Sequence, residues 1–290
     1  YVQDDNFGLF KSLFGQKLRK LIFASPNDVK RERDKFPATW ESDILYPLRF
    51  LIDRIPEINL TPIRKCYIDI ETGDIQNYRE ETLNPKQPIL CISCYDNLTN
   101  KTISFIQHQL QPISNITVHN YPSETLMLYA FTKFIETLDP DLLIGWNINN
   151  FDIPYIVNRC KQLKVPIQNI SHDKNRISIK TFQSKLTKRQ EIEIDIHGRY
   201  VFDLLRGYKY MKVSGLDSYN LNNVAQLELG HGKVQITETP EALWKQGKLN
   251  ELLEYNINDV ILTYELDKEC EIIDRFNELR IETGCRWNEL

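Results

Sequence analysis

Two carboxylates set into an otherwise apolar strand constrain this chain more than any other feature. The run Arg64-Lys-Cys-Tyr-Ile-Asp-Ile-Glu71 reads as a β-strand. Strand side chains alternate between faces, so Cys66, Ile68 and Ile70 point one way while Tyr67, Asp69 and Glu71 point the other. Neighbouring carboxylates on a central strand repel each other and resist desolvation. A cation between them removes both difficulties, and hard divalent ions prefer carboxylate oxygens.

Composition narrows the classes around that pair. At 290 residues with 41% hydrophobic side chains, the chain suits one large domain or two smaller ones. A net charge of −4 argues against a surface that coats nucleic acid broadly. It leaves room for a nuclease, whose metal cleft must be acidic. No apolar run approaches the roughly 18 residues that span a membrane, and no signal-peptide pattern opens the chain. Cys91-Ile-Ser-Cys94 has a zinc-like spacing without a second pair or a nearby His pair. Together with the scattered Cys66, Cys160, Cys270 and Cys285, it reads as core thiols of a reducing compartment.

Residues 1–62 form a first region. Phe7–Phe10 and Leu18–Phe23 resemble short strands, Ser25-Pro26 is a capped helix start, and a second helix is expected over 42–54. Pro56 and Pro62 bracket a linker. The second region, 63–275, alternates strands (64–71, 89–95, 101–107, 141–146) with helices near 123–138 and 153–163. Clean alternation over 176–182 and 191–196 predicts an antiparallel hairpin whose tip carries Lys185, Lys188 and Arg189. Thr239-Pro240 starts a short helix. One long helix is expected over about 249–279, which has no internal Gly or Pro. Residues 276–290 form a C-terminal segment. The fold class this implies is α/β, a mixed sheet flanked by helices.

Further acids complete a pattern. Asp152 follows a strand and the polar loop Trp146-Asn-Ile-Asn-Asn-Phe151, at the sheet edge where open α/β folds place their sites. Tyr255 and Asp259 are one helical turn apart and share a face. Asp203 lies outside these groupings and reads as structural. Each signal alone is weak, and a Tyr and an Asp at this spacing are more often a surface pair. Their order carries the information: Asp-x-Glu on a strand, Asn-x-x-x-Phe-Asp after a strand, then Tyr-x-x-x-Asp on a helix.

In that order the chain resembles family B DNA polymerases. Tyr67-Ile-Asp-Ile-Glu-Thr72 is similar to their first exonuclease motif, Ile144–Arg159 to the second, and Tyr255-Asn-Ile-Asn-Asp-Val260 to the third, in its tyrosine form. Gly198–Leu205 and Ser218–Gly230 resemble the connecting elements, and Trp40–Asp53 the approach to the first motif. The resemblance implies a ribonuclease H-like exonuclease fold with a partial N-terminal domain. It implies that Asp69, Glu71, Asp152 and Asp259 hold two Mg²⁺ ions, for which Mn²⁺ substitutes. Tyr255 would orient the attacking water, and Lys233 would sit near the scissile phosphate, its alternative being a solvated loop lysine. Asn147 and Phe151 would contact the terminal nucleotides, although Phe151 suits the core equally. The basic-tipped hairpin resembles the family's strand-separating hairpin.

The implied function is a proofreading 3′→5′ exonuclease that acts on a single-stranded DNA 3′ end or frayed primer-template and releases nucleoside monophosphates. Polymerase palm motifs are absent, so the chain reads as the exonuclease portion of a longer polymerase, with that chain's palm and thumb as partners. A monomer without membrane contact is expected, in the cytoplasm at a nucleoid or viral replication site. Two alternatives stay open: a non-catalytic single-strand-binding or scaffolding module, and a free-standing ribonuclease of the same superfamily.

Overall fold

Strand alternation around Asp69 organises the larger part of the molecule. The computed structural model describes residues 1–3, 8–55, 61–110, 116–174, 177–183, 190–212 and 215–289. It divides into two units, Tyr1–Pro62 and Ile63–Leu290.

The first unit holds short antiparallel pairs, Val2–Gln3 with Leu21–Ile22 and Phe10–Lys11 with Lys17–Leu18. Leu18–Phe23 is therefore not one strand, and of Phe7–Phe10 only Phe10 lies in one, Phe7 being outside the described residues. A helix at Pro26–Glu32 starts on Ser25, whose side chain accepts from the Asp28 N–H. The second helix is Tyr46–Arg54, four residues shorter than expected, with proline in its first turn fixing the entry.

The second unit is built on a mixed six-stranded sheet. Its strands are β1 (Lys65–Thr72), β2 (Ile89–Asp96), β3 (Lys101–Ile106), β4 (Ile116–Asn120), β5 (Leu142–Gly145) and, after the β6–β7 hairpin (Ile177–Gln183, Gln190–Ile196), β8 (Tyr200–Asp203). The spatial order is β8-β5-β1-β2-β3-β4. β1 pairs parallel with β5 and antiparallel with β2, so it is central. The hairpin forms as expected, but its basic tip lies outside the described residues. Strand β4 was not expected; it runs parallel to β3 at the sheet edge, with little buried side-chain surface to mark it in the sequence.

Helices cover both faces. They are α1 (Tyr78–Leu83), α2 (Glu124–Leu138), α3 (Asp152–Gln162), α4 (Leu204–Met211), α5 (Leu221–Leu229), α6 (Pro240–Lys245), α7 (Leu249–Cys270) and α8 (Ile272–Thr283). On one face Cys66, Ile68 and Ile70 of β1 pack with Met127, Phe131 and Ile135 of α2 and Ile153, Ile156 and Val157 of α3. On the other, α7 lies over the sheet. Its first half joins Leu252, Leu253 and Ile257 to Leu90, Cys91 and Ile106. Its second half joins Val260, Leu262 and Leu266 to Tyr67, Leu142 and Ile144. The cysteines of β1, β2 and α3 are buried free thiols.

The single helix expected over 249–279 is two. Glu271 takes the left-handed conformation, φ 52°, and ends α7. The Asp267 carboxylate accepts the Ile273 N–H at 2.8 Å, capping the start of α8. Side-chain capping replaces the Gly or Pro that a sequence pattern looks for. Among the described residues no helix is long and apolar enough to cross a membrane.

Candidate active site

Between the two apolar patches under α7 lies a polar stripe. Asn256, Asp259 and Thr263 recur at helical spacing on the face turned to the sheet, and all three are buried. Opposite them stand Asp69 and Glu71, near the C-terminal end of β1. The β1–β2 register shifts between Glu71 and Thr72, an irregularity of the kind that ends regular pairing and re-aims side chains beside sites. Asp69, Glu71 and Asp259 each bring a carboxylate oxygen within 4.8 Å of the others. The Thr263 hydroxyl turns away to the Asp259 carbonyl, at 2.8 Å.

Asp152 arrives from another direction. β5 ends at Gly145, where a Cβ would stand 2.8 Å from the Ile68 carbonyl oxygen, so only glycine lets the strand end approach β1 this closely. The loop that follows turns through Asn147 at φ 64°, a left-handed conformation that asparagine tolerates. Asp152 then opens α3, and a carboxylate in a first helical turn is favoured by the helix dipole. It stands outside the 4.8 Å group but is close enough to raise the proton affinity of Asp69 and Glu71.

Lys233 comes from the loop after α5, clasped from both sides. Its N–H donates to Asn222 Oδ1 at 2.9 Å, and the Val234 N–H to Asn258 Oδ1 at 2.8 Å. A Cβ at Gly232 would lie 2.4 Å from Asn222 Oδ1, so a larger residue there would have to displace the amide that holds the loop. The ammonium forms an ion pair with Asp259 Oδ2 and lies 3.5 Å from the Tyr255 hydroxyl. Lys233 is thus no solvated loop residue in this structure.

The electrostatics are those of crowded acids short of cations. Asp69 and Glu71 keep some surface open to solvent, but burial of their carboxyl groups and then the negative charge of Asp259 raise both; Glu71 rises to about 8. Burial raises Asp152 to about 7, against the pull of nearby main-chain N–H groups. Burial also raises Asp259, with Lys233 opposing. Burial alone would lower Lys233, but the Asp259 charge outweighs it and the ammonium is held firmly protonated. Asp259 Oδ1 is buried with no partner among the described residues. An all-oxygen set with an unmet acceptor and mutual repulsion fits a hard divalent cation.

The remaining expected residues are placed differently. Asn147 accepts from Asn150 Nδ2 at 2.8 Å. The Phe151 ring packs between Tyr78 and Tyr155, each 5.4 Å away, and lies half-buried against the core. Neither has a bond to the acids among the contacts described. Asp203 accepts the Arg206 N–H at 3.2 Å as the cap of α4 and the Asn149 N–H at 3.3 Å, so it ties down the loop that delivers Asp152. Asn256, which sequence reasoning passed over, donates to Asp69 Oδ2 at 2.7 Å. Its position three residues before Asp259, on the same helical face, was the signal available.

Comparison with known proteins bears on the same residues. Residues 51–224 match the family described as DNA polymerase family B, exonuclease domain. That range contains Asp69, Glu71, Asn147, Phe151 and Asp152; Lys233, Tyr255 and Asp259 follow it and join the site by geometry. The chain is 31% identical to a DNA polymerase of Pyrococcus glycovorans, over 86% of this chain and 31% of that protein. It is 29% identical to a DNA polymerase delta catalytic subunit of Dictyostelium discoideum, over 85% of this chain and 27% of that one. A DNA polymerase of Thermococcus aggregans matches at 30% identity over 86% of this chain and 13% of its own length. The chain therefore spans less than a third of the length of these curated relatives.

Proposed function

The chain belongs to the exonuclease-domain family of family B DNA polymerases, and from that premise we propose that it is a proofreading 3′→5′ exonuclease acting on DNA. The observation that carries the reading is the meeting of Asp69, Glu71 and Asp259 within 4.8 Å, with Asp259 Oδ1 unpartnered among the described residues. In this reading Asp69, Glu71, Asp152 and Asp259 hold Mg²⁺ or Mn²⁺. Bound divalent ions would supply an activated water and charge stabilisation at the leaving 3′ oxygen.

The chain's own side chains do the rest. The Tyr255 hydroxyl, one turn from Asp259 and beside the Lys233 ammonium, orients the water for in-line attack at phosphorus. Lys233, held protonated, faces the non-bridging phosphate oxygens as charge develops on them. A water–phosphorus bond forms and the bond to the 3′ oxygen breaks. That releases a nucleoside 5′-monophosphate and leaves a new 3′-hydroxyl end. Asn147 and Phe151 belong to the loop leading into Asp152 and are assigned to the terminal nucleotides. The substrate is a single-stranded 3′ end or one frayed from a primer-template, and the palm and thumb of a polymerase are the partners the family suggests.

The test is hydrolysis of a 3′-labelled single-stranded oligonucleotide by the purified chain with Mg²⁺ or Mn²⁺. Mononucleotide release is expected from DNA, with loss in the Asp69→Ala/Glu71→Ala variant. Release that persists in that variant would sink the assignment, and a preference for RNA would move it to a ribonuclease.

A further inference from the structure

Asn256 is fully buried, at 0% exposure, on a helix whose other buried positions are mostly apolar. A buried amide is costly unless its hydrogen bonds are made, and this one is only half satisfied. Nδ2 donates to Asp69 Oδ2 at 2.7 Å, while Oδ1 is buried without a partner among the described residues. With a cation bound the Asp69 carboxylate is ionised and has no proton to give, so the amide then turns its NH₂ group toward Asp69, as it does here. Packing does not require an amide here: Leu252, Leu253, Ile257 and Val260 around it are all apolar. The bond also crosses from α7 to β1, the two elements that must hold their registers for Asp69 and Asp259 to face each other.

We propose that Asn256 is the positioning residue of the site: it fixes one oxygen of Asp69 and thereby presents the other to the ion shared with Glu71 and Asp259. This inference rests on the metal reading of the proposed function. In this role Asn256 acts through Asp69 and not on the substrate or the ion directly. It sets the direction of a ligand, and groups that orient ligands in this way change metal affinity or activity about 10–100-fold when removed.

The test compares the unaltered chain with Asn256→Leu and Asn256→Ala. Mn²⁺ uptake is followed by titration calorimetry without DNA, and Mn²⁺ dependence by release from a labelled oligonucleotide. In the variants the Mn²⁺ dissociation constant and the half-activating concentration should rise together, about 10–100-fold. Saturating Mn²⁺ should restore most of the rate, with KM for DNA unchanged and the melting temperature close to that of the unaltered chain. A lower rate at every Mn²⁺ concentration with an unmoved midpoint would overturn the proposal, as would failure of both variants to fold. If uptake is unchanged in both while Asp69→Ala abolishes it, the role of Asn256 falls and the metal reading stands. No uptake by the unaltered chain overturns both.

Discussion

Helix α7 carries two buried aspartates about two turns apart, and the fold treats them in opposite ways. Asp267, 3% exposed, is provided for. Its Oδ2 accepts from the Tyr67 hydroxyl at 2.5 Å and pairs with the Lys65 ammonium at 3.2 Å, and its Oδ1 accepts the Ile273 N–H at 2.8 Å. Asp259, 4% exposed, shares its surroundings with Asp69 and Glu71, pairs with Lys233, and keeps an oxygen without a partner among the described residues. Both face β1, Asp267 toward Tyr67 and Asp259 toward the two acids further along the same strand face. A buried charge that the chain satisfies itself belongs to the scaffold. One left among repelling neighbours suits a charge the chain does not supply.

Alanine at each position tests that distinction most severely. Asp259→Ala should lower hydrolysis by about 10³-fold or more, since several kcal/mol of charge stabilisation are lost at about 1.4 kcal/mol per decade. Its metal-free melting temperature should fall less than that of Asp267→Ala, because relief of like-charge repulsion offsets the lost Lys233 pair. Asp267→Ala should lower unfolding free energy by about 3 kcal/mol, because a buried pair loses one partner and the Tyr67 hydroxyl is stranded. Urea unfolding and oligonucleotide release, measured on both, separate the roles. Equal destabilisation by the two substitutions would break the comparison.

Acidity offers a second, smaller test. In the metal-free chain the site acids hold their protons above the ordinary carboxylate range, Asp152 to about 7 and Glu71 to about 8. Between about pH 4 and 8 the folded chain therefore binds protons that the unfolded chain has released. Stability contributed by these groups is present at low pH and is lost as pH rises through 7 to 8. Thermal melts in chelator should fall from pH 5.5 to 8.5, and Asp152→Asn should flatten the lower part of that fall. Mn²⁺ should oppose it, since the ion binds the deprotonated carboxylates and its affinity rises over the same interval. A melting temperature that climbs with pH in chelator would show that the acids are not crowded as described.

Much of this was legible in the sequence, and the parts that were not share a cause. Asp69 and Glu71 could be placed on one face of β1 because strand alternation is a local rule, and the opposite face of Cys66, Ile68 and Ile70 packs as that rule requires. The turn-spaced Tyr255 and Asp259 followed from helical geometry in the same way. Strand β4 escaped notice because it is a short edge strand with mostly exposed side chains. The break at Glu271 escaped because it is made by a side chain of the preceding helix, Asp267, and not by a residue with a turn preference of its own. Asn256 and the grip of Asn222 and Asn258 on the Lys233 loop are contacts between distant segments, which no periodicity encodes.

The smallest effect, and the finest division between the two aspartates, lies in their lysines. Lys65 is enclosed, with its side chain 13% exposed, and also reaches Asp274 at 2.9 Å. Lys233 is 25% exposed and comes from a loop, so its pair with Asp259 is the more easily exchanged. Lys233→Met should cost less than Asp267→Ala in the metal-free chain, because Lys233 is partly exposed and Asp259, already raised by burial, takes up a proton when the cation is gone. It should also remove a cation that an incoming ion must displace, tightening Mn²⁺ uptake by at most about tenfold, or 1.4 kcal/mol. Hydrolysis should nevertheless fall, because the same ammonium is assigned to the phosphate. Calorimetry and rate would then move in opposite directions. Lys65→Met should instead lower stability with no change in uptake, because Asp267 serves the scaffold alone. If Lys233→Met weakened uptake, its ammonium would be helping to hold the site in shape, and the line between the two aspartates would have to be redrawn.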